Sequence, residues 1–154
     1  MKARKIVLCL CTFALWLQTQ AVLAQRNAAE YQPAPNLTAA IRKAKIINET
    51  YPLRVGSSGT EVLVTTLNNP KSDEKSLKID AVLVAKAIMD ADKKILIVHY
   101  RTKESMTARQ MLTIIVKQSD VMAYGVNAIG VDSLLGELKV VKRTSRGPHD
   151  FADK

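Results

Sequence analysis

The sequence predicts a small α+β domain, a two-layer sandwich in which three to four strands form a mixed sheet with two main helices and a short C-terminal helix. Two observations predict this class. Apolar residues recur with the helical period in two long segments and fit strands in three others. In addition, a strand, a helix and a second strand follow one another over residues 61–101, which is the length of a parallel crossover.

The helices follow from local patterns. Apolar residues at helical spacing over 37–51 predict the first helix, and Pro52 ends it. The Ala- and Leu-rich stretch 76–91 predicts the second helix, which is apolar on more than one side. An aspartate cap followed by leucines predicts a short helix over 132–138.

Three strands are predicted, and a fourth is left open. The stretches 61–67, 94–101 and 109–117 have the composition of strands. A short polar loop separates the last two, so they are predicted to pair as antiparallel neighbours. Residues 121–128 fit either a strand or a loop, and the Gly- and Ser-rich stretch 55–60 is predicted to be a turn.

The N-terminus has the pattern of a signal peptide, predicted over residues 1–24. Three basic residues among the first five precede the apolar run 6–17, and small residues offer a cleavage site after Ala24. The run is shorter than the roughly twenty residues of a membrane-spanning helix, which favours cleavage over retention as an anchor. The protein is therefore predicted to be exported, periplasmic or extracellular, without a stable transmembrane segment after cleavage.

The rest of the chain is predicted to form one domain over residues 36–142. A polar linker, 25–35, ends in Pro-Ala-Pro before it, and a flexible basic tail, 143–154, follows it. The formal charge of the whole chain is +9, and the signal peptide accounts for three of these charges. The remaining basic excess indicates an anionic partner, such as a membrane surface or an envelope polymer, and export disfavours nucleic acid.

The predicted hairpin of strands 94–101 and 109–117 has two different faces. Alternation directs one set of side chains towards the helices: Leu96, Val98, Tyr100, Leu112, Ile114 and Val116. The opposite face is half apolar and consists of Ile95, Ile97, His99, Arg101, Met111, Thr113, Ile115 and Lys117. Such a face is expected to be covered. Internal cover, by the first helix or by the C-terminal segment, is favoured; cover by the first helix would give a closed monomer, whereas a bare face would bind a partner or a second copy.

No stretch of the sequence fits a catalytic motif, and neither a metal nor a cofactor is predicted. Both cysteines lie in the signal peptide and the mature chain has two histidines, which are too few for a usual metal site. The turn at 56–60 has neither the serine elbow of a hydrolase nor the lysine of a phosphate loop. A small hydrolase or transferase remains the alternative, with His99 as base and Ser57 or Ser58 as nucleophile.

The sequence thus predicts an exported, non-enzymatic binding or adaptor domain that contacts a protein or a cell-envelope component through a sheet face or edge. The candidate binding residues are Ile95, Ile97, His99, Arg101, Met111, Ile115 and Lys117. The same face would serve for a homo-oligomer. A further interpretation places the basic first helix and the tail on an anionic membrane surface.

Overall fold

The computed structural model describes residues 31–126 and 128–144, which form a six-stranded mixed sheet and four α-helices. The strands are β1 (Gln32–Pro33), β2 (Leu53–Ser58), β3 (Glu61–Leu67), β4 (Ile97–Lys103), β5 (Gln110–Lys117) and β6 (Lys139–Thr144). The helices are α1 (Pro35–Lys43), α2 (Glu74–Ala91), α3 (Gln118–Gly125) and α4 (Val131–Glu137). The predicted signal peptide, most of the linker and most of the tail lie outside the described residues.

The prediction of three to four strands, two main helices and a short one is wrong, because the described residues contain six strands and four helices. Sequence reasoning misses strand β2 because Gly56, Ser57 and Ser58 have the composition of a turn. They nevertheless pair with β3. The connection is a tight hairpin in which Gly59 adopts φ +58°, a conformation that glycine accepts without steric cost.

The two outermost strands and α3 are the other elements that the prediction lacks, and the predicted end of the first helix at residue 51 is wrong, because α1 ends at Lys43. β1 lies within the predicted linker and pairs with β2, where Gln32 is opposite Ser57. β6 pairs with β5 and extends to Thr144, into the predicted tail. The side chains of β6 are mostly exposed and basic, so no apolar alternation marks it as a strand. Helix α3 covers much of the segment left open between strand and loop, and none of its described residues is buried.

The strands lie in the sheet in chain order, β1 to β6. All neighbours are antiparallel except β3 and β4, which are parallel and joined by the crossover helix α2. The predicted crossover and the antiparallel pairing of β4 with β5 are therefore confirmed. Asp73 caps the N-terminus of helix α2, because its side chain accepts a hydrogen bond from the amide of Ser76.

One core lies between the sheet and the helices. Its sheet side includes Val62, Val64, Val98, Tyr100, Ile114 and Val116, each at most 2% exposed. Helix α2 buries Ala81, Val84 and Ile88 against them. Burying a valine or isoleucine side chain stabilises a fold by roughly 1.5–3 kcal/mol. Of the predicted core face, Leu112 is half-buried, and Leu96 is 46% exposed because β4 begins only at Ile97.

The other helices join the same core. Leu37 and Ile41 of α1 and Leu134 and Leu135 of α4 are buried in it. Helix α3 contacts α2, α4 and β5. We call this side of the sheet the helical face. The apolar stripe of α1 is therefore used inside the protein, and no helix of the described residues is long and apolar enough to cross a membrane.

Candidate functional site

The second face of the sheet, on the side away from the helices, carries a regular array of side chains. The register places Leu63, His99 and Ile115 in one row across β3, β4 and β5. It places Thr65, Arg101 and Thr113 in the next row. Because side chains alternate along a strand, these residues point away from the buried Val64, Tyr100 and Ile114 between them.

Most of the candidate residues lie on this second face. Alternation places Ile97, His99 and Arg101 of β4 there, together with Met111, Ile115 and Lys117 of β5. Ile97, His99, Arg101 and Ile115 are half-buried, Met111 is buried and Lys117 is exposed. Ile95 is placed differently. It precedes β4, is 2% exposed and belongs to the core cluster, so it does not contribute to the second face.

A cluster of three polar side chains lies at one end of the second face. Glu61 Oε2 accepts a hydrogen bond from the hydroxyl of Tyr31 at 3.3 Å and lies 3.1 Å from His99 Nε2. The carboxylate thus orients the imidazole, with Nε2 as the donor. Within the described part of the chain, neither Ser57 nor Ser58 forms a hydrogen bond with His99, so the contact supplies an orienting group and no bonded nucleophile.

A cavity of about 740 Å³ lies where β1, α1 and β2 border the second face. We call it the arginine cavity, because its described lining contains no acidic residue and three basic ones: Arg42, Arg54 and Arg101. Its apolar lining includes Pro33, Pro35 and Leu63. Arg42 is held in place by two carbonyls, since it donates from Nη1 to Asn48 O at 3.0 Å and from Nη2 to Tyr51 O at 2.7 Å.

A second cavity, of about 420 Å³, lies at the carboxyl ends of the parallel strands β3 and β4. Ligands of open α/β sheets often bind at such strand ends. Here the polar groups bond one another. Thr102 donates to Asn68 Oδ1 at 2.9 Å, and the buried Lys103 donates to Met106 O at 3.1 Å. This strand-end cavity therefore contains a bonded polar network that fixes the ends of the two strands.

Two ionisable groups near the core have raised pKa values. Burial raises the pKa of Asp80, on α2. Burial also raises the pKa of Tyr100 well above its ordinary value, and the negative charge of Asp80 adds to this effect. Both groups lie on the helical side, so they do not belong to the second face.

Metal ligands are not brought together in residues 31–126 and 128–144. No group of three His, Cys, Asp or Glu side chains in this part of the chain could hold an ion. The sequence matches no protein-family model, and neither the curated proteins nor the solved structures show significant similarity to it.

Sequence reasoning finds part of these sites and misses the rest. It places His99 and Arg101 on the second face through strand alternation. It misses Glu61 and Tyr31 because they are 38 and 68 positions from His99 in the chain, and Tyr31 falls in the predicted linker. It misses the arginine cavity because Arg42, Arg54 and Arg101 come from three elements with no common motif. Only the excess of basic residues indicated an anionic partner.

Proposed function

We propose that this protein is an exported binding domain without catalytic activity of its own, and that it holds a protein or an anionic envelope component against the second face of its sheet. The proposal rests on the difference between the two faces of the sheet. The described helices pack on the helical face. The second face combines half-buried Leu63, Ile97 and Ile115 with His99 and Arg101.

This combination of side chains supports a binding role. Apolar groups in the centre of a surface provide contact area, and charged groups beside them fix orientation and partner choice. The Glu61–His99 contact holds the imidazole in one orientation before a partner arrives, which lowers the entropy lost on binding. Export remains a prediction from the signal pattern at residues 1–24.

Site-specific photo-crosslinking in the exporting cell tests the proposal. A photoreactive amino acid is placed at Ile115 or Lys117 on the second face. The matched control is Leu83, which is 45% exposed on α2. We expect a discrete crosslinked species from the second-face positions and none of comparable yield from position 83. Equal crosslinking from both sides of the domain would contradict the proposal, and a crosslinked dimer would identify the partner as a second copy of this chain.

A further inference from the structure

We propose that the arginine cavity binds a small organic anion in which a carboxylate or a phosphate group is joined to an apolar portion. This inference goes beyond the partner-binding role, because it concerns a cavity and a small ligand where that role concerns a sheet face and a macromolecule. It also rests on other residues, apart from Leu63, Thr65 and Arg101, which border both regions.

The size and the walls of the cavity suit a small molecule. Its volume of about 740 Å³ lies within the usual range of ligand pockets, roughly 300–1,000 Å³. Pro33, Pro35 and Leu63 offer apolar contact, and Thr65 offers a hydroxyl group, whereas the hydroxyl of Thr38 already donates to Ala34 O at 3.1 Å. A mainly apolar lining with a few converging polar groups is the usual composition of such sites.

The positive charge of the three arginines indicates that the ligand is an anion. Arg54 and Arg101 lie on either side of Thr65 in the register of β2, β3 and β4, so they reach the cavity from its sheet side. Arg42 reaches it from α1, and its two bonds to Asn48 O and Tyr51 O fix the guanidinium before a ligand binds. Because a guanidinium has five N–H donors, it can hold these carbonyls and still donate to an anion.

Guanidinium groups select for the chemistry of the ligand's polar end. Their planar pair of donors matches the two oxygens of a carboxylate or a phosphate. A bare inorganic anion would leave the contacts with the two prolines and Leu63 unused. The ligand is therefore expected to carry an apolar portion of several carbon atoms next to its anionic group.

Calorimetric titration of the purified protein, in the form to which the cell processes it, tests this inference. The probes are octyl phosphate and octanoate, compared with inorganic phosphate and with uncharged octanol, all below the concentrations at which they aggregate. We expect one of the anionic octyl compounds to bind at least about tenfold more tightly than inorganic phosphate and octanol, since each charge-assisted contact contributes about 1.5–3 kcal/mol. Tighter binding of octyl phosphate would indicate a phosphate ester, and tighter binding of octanoate a fatty acid.

Variants locate the binding site. Arg54→Gln is expected to weaken binding about tenfold, and Arg54→Lys should lose less because it keeps the positive charge. Arg143→Gln, on the exposed edge strand β6, removes the same charge outside the cavity and should leave binding unchanged. Amide resonances of Gly56 and Leu63 should shift when the anion binds. Thermal unfolding confirms that each variant is folded.

Four results would overturn the inference. Three are the absence of binding by both anionic octyl compounds, equal binding of octanol, and equal losses in the Arg54→Gln and Arg143→Gln variants. The fourth is tight binding of inorganic phosphate alone, which would contradict the expected apolar portion. None of these results bears on crosslinking from Ile115 or Lys117, so failure of the small-ligand site and failure of the partner-binding role can be told apart.

Discussion

Two threonines on adjacent strands allow a matched test of the structure. Thr102 on β4 and Thr113 on β5 are 1% and 6% exposed. The hydroxyl of Thr102 donates to Asn68 Oδ1 at 2.9 Å, across the ends of the parallel strands. The hydroxyl of Thr113 is buried and has no hydrogen-bond partner within the described part of the chain. Replacing either threonine with valine exchanges the hydroxyl for a methyl group of similar size.

The two substitutions are expected to change stability in opposite directions. Thr102→Val leaves Asn68 Oδ1 buried without a donor, a cost of about 1–3 kcal/mol that already includes the loss of the hydrogen bond. The added methyl group returns about 0.8 kcal/mol. We therefore expect a net loss of about 0.2–2 kcal/mol. Thr113→Val removes an unsatisfied polar group, so the expected change is between zero and a gain of about 1 kcal/mol.

Urea unfolding followed by circular dichroism measures both changes. The comparison does not depend on the total stability of the domain, because both variants are measured against the same wild-type protein. A Thr113→Val variant destabilised as much as Thr102→Val would refute the reasoning. It would mean that the hydroxyl of Thr113 has a partner in the folded protein, or that the methyl group does not fit at that position.

Two further predictions concern the helical side and the sheet edge. Because burial raises the pKa of Asp80, the folded state binds its proton more tightly than the unfolded state. The resulting penalty grows as the pH rises from the ordinary value of 3.8 to the raised value and is complete above it. Asp80→Asn should therefore stabilise the protein at pH 7 and lose this advantage below pH 3.8. Thermal unfolding of both proteins across this pH range measures the difference. A variant less stable than the wild type at pH 7 would contradict the prediction. Gly56→Ala should destabilise by about 1–3 kcal/mol, because the new Cβ would lie 2.8 Å from Tyr31 Cβ and displace β1. The control Gly136→Ala, in α4 with open space around it, should be neutral or stabilising, and equal losses in both variants would contradict the steric explanation.

The central part of the fold could be predicted from the sequence, because its elements have strong apolar periodicity. Strands β3, β4 and β5 and helix α2 provide most of the core, and their side chains repeat with the period of the structure they form. The prediction of Val98, Tyr100, Ile114 and Val116 as core residues is confirmed for the same reason. Errors in these elements are confined to their ends, as with Leu96.

The outer elements could not be predicted because their stability comes from tertiary contacts. The turn-like composition of β2 is compatible with a strand only because β1 and β3 pair with it on both sides. β1 is two residues long, and a strand of that length has no period to detect. The candidate site shares this limit. Alternation predicts which residues share the second face, but only the register brings Glu61 next to His99.

The position of β1 connects the edge of the fold to the arginine cavity. Tyr31 and Pro33 line the cavity, and their place depends on the pairing of β1 with β2 and on the close approach of Tyr31 to Gly56. An anion that binds there contacts a wall formed by a two-residue strand, so binding must stabilise that strand against local opening by RT ln(1 + [L]/Kd). The amide of Ala34, which donates to Val55 O, should then exchange its hydrogen more slowly in the presence of octyl phosphate. Amides of α2, in the centre of the domain, should be protected to the same degree with and without the anion unless they exchange by global unfolding.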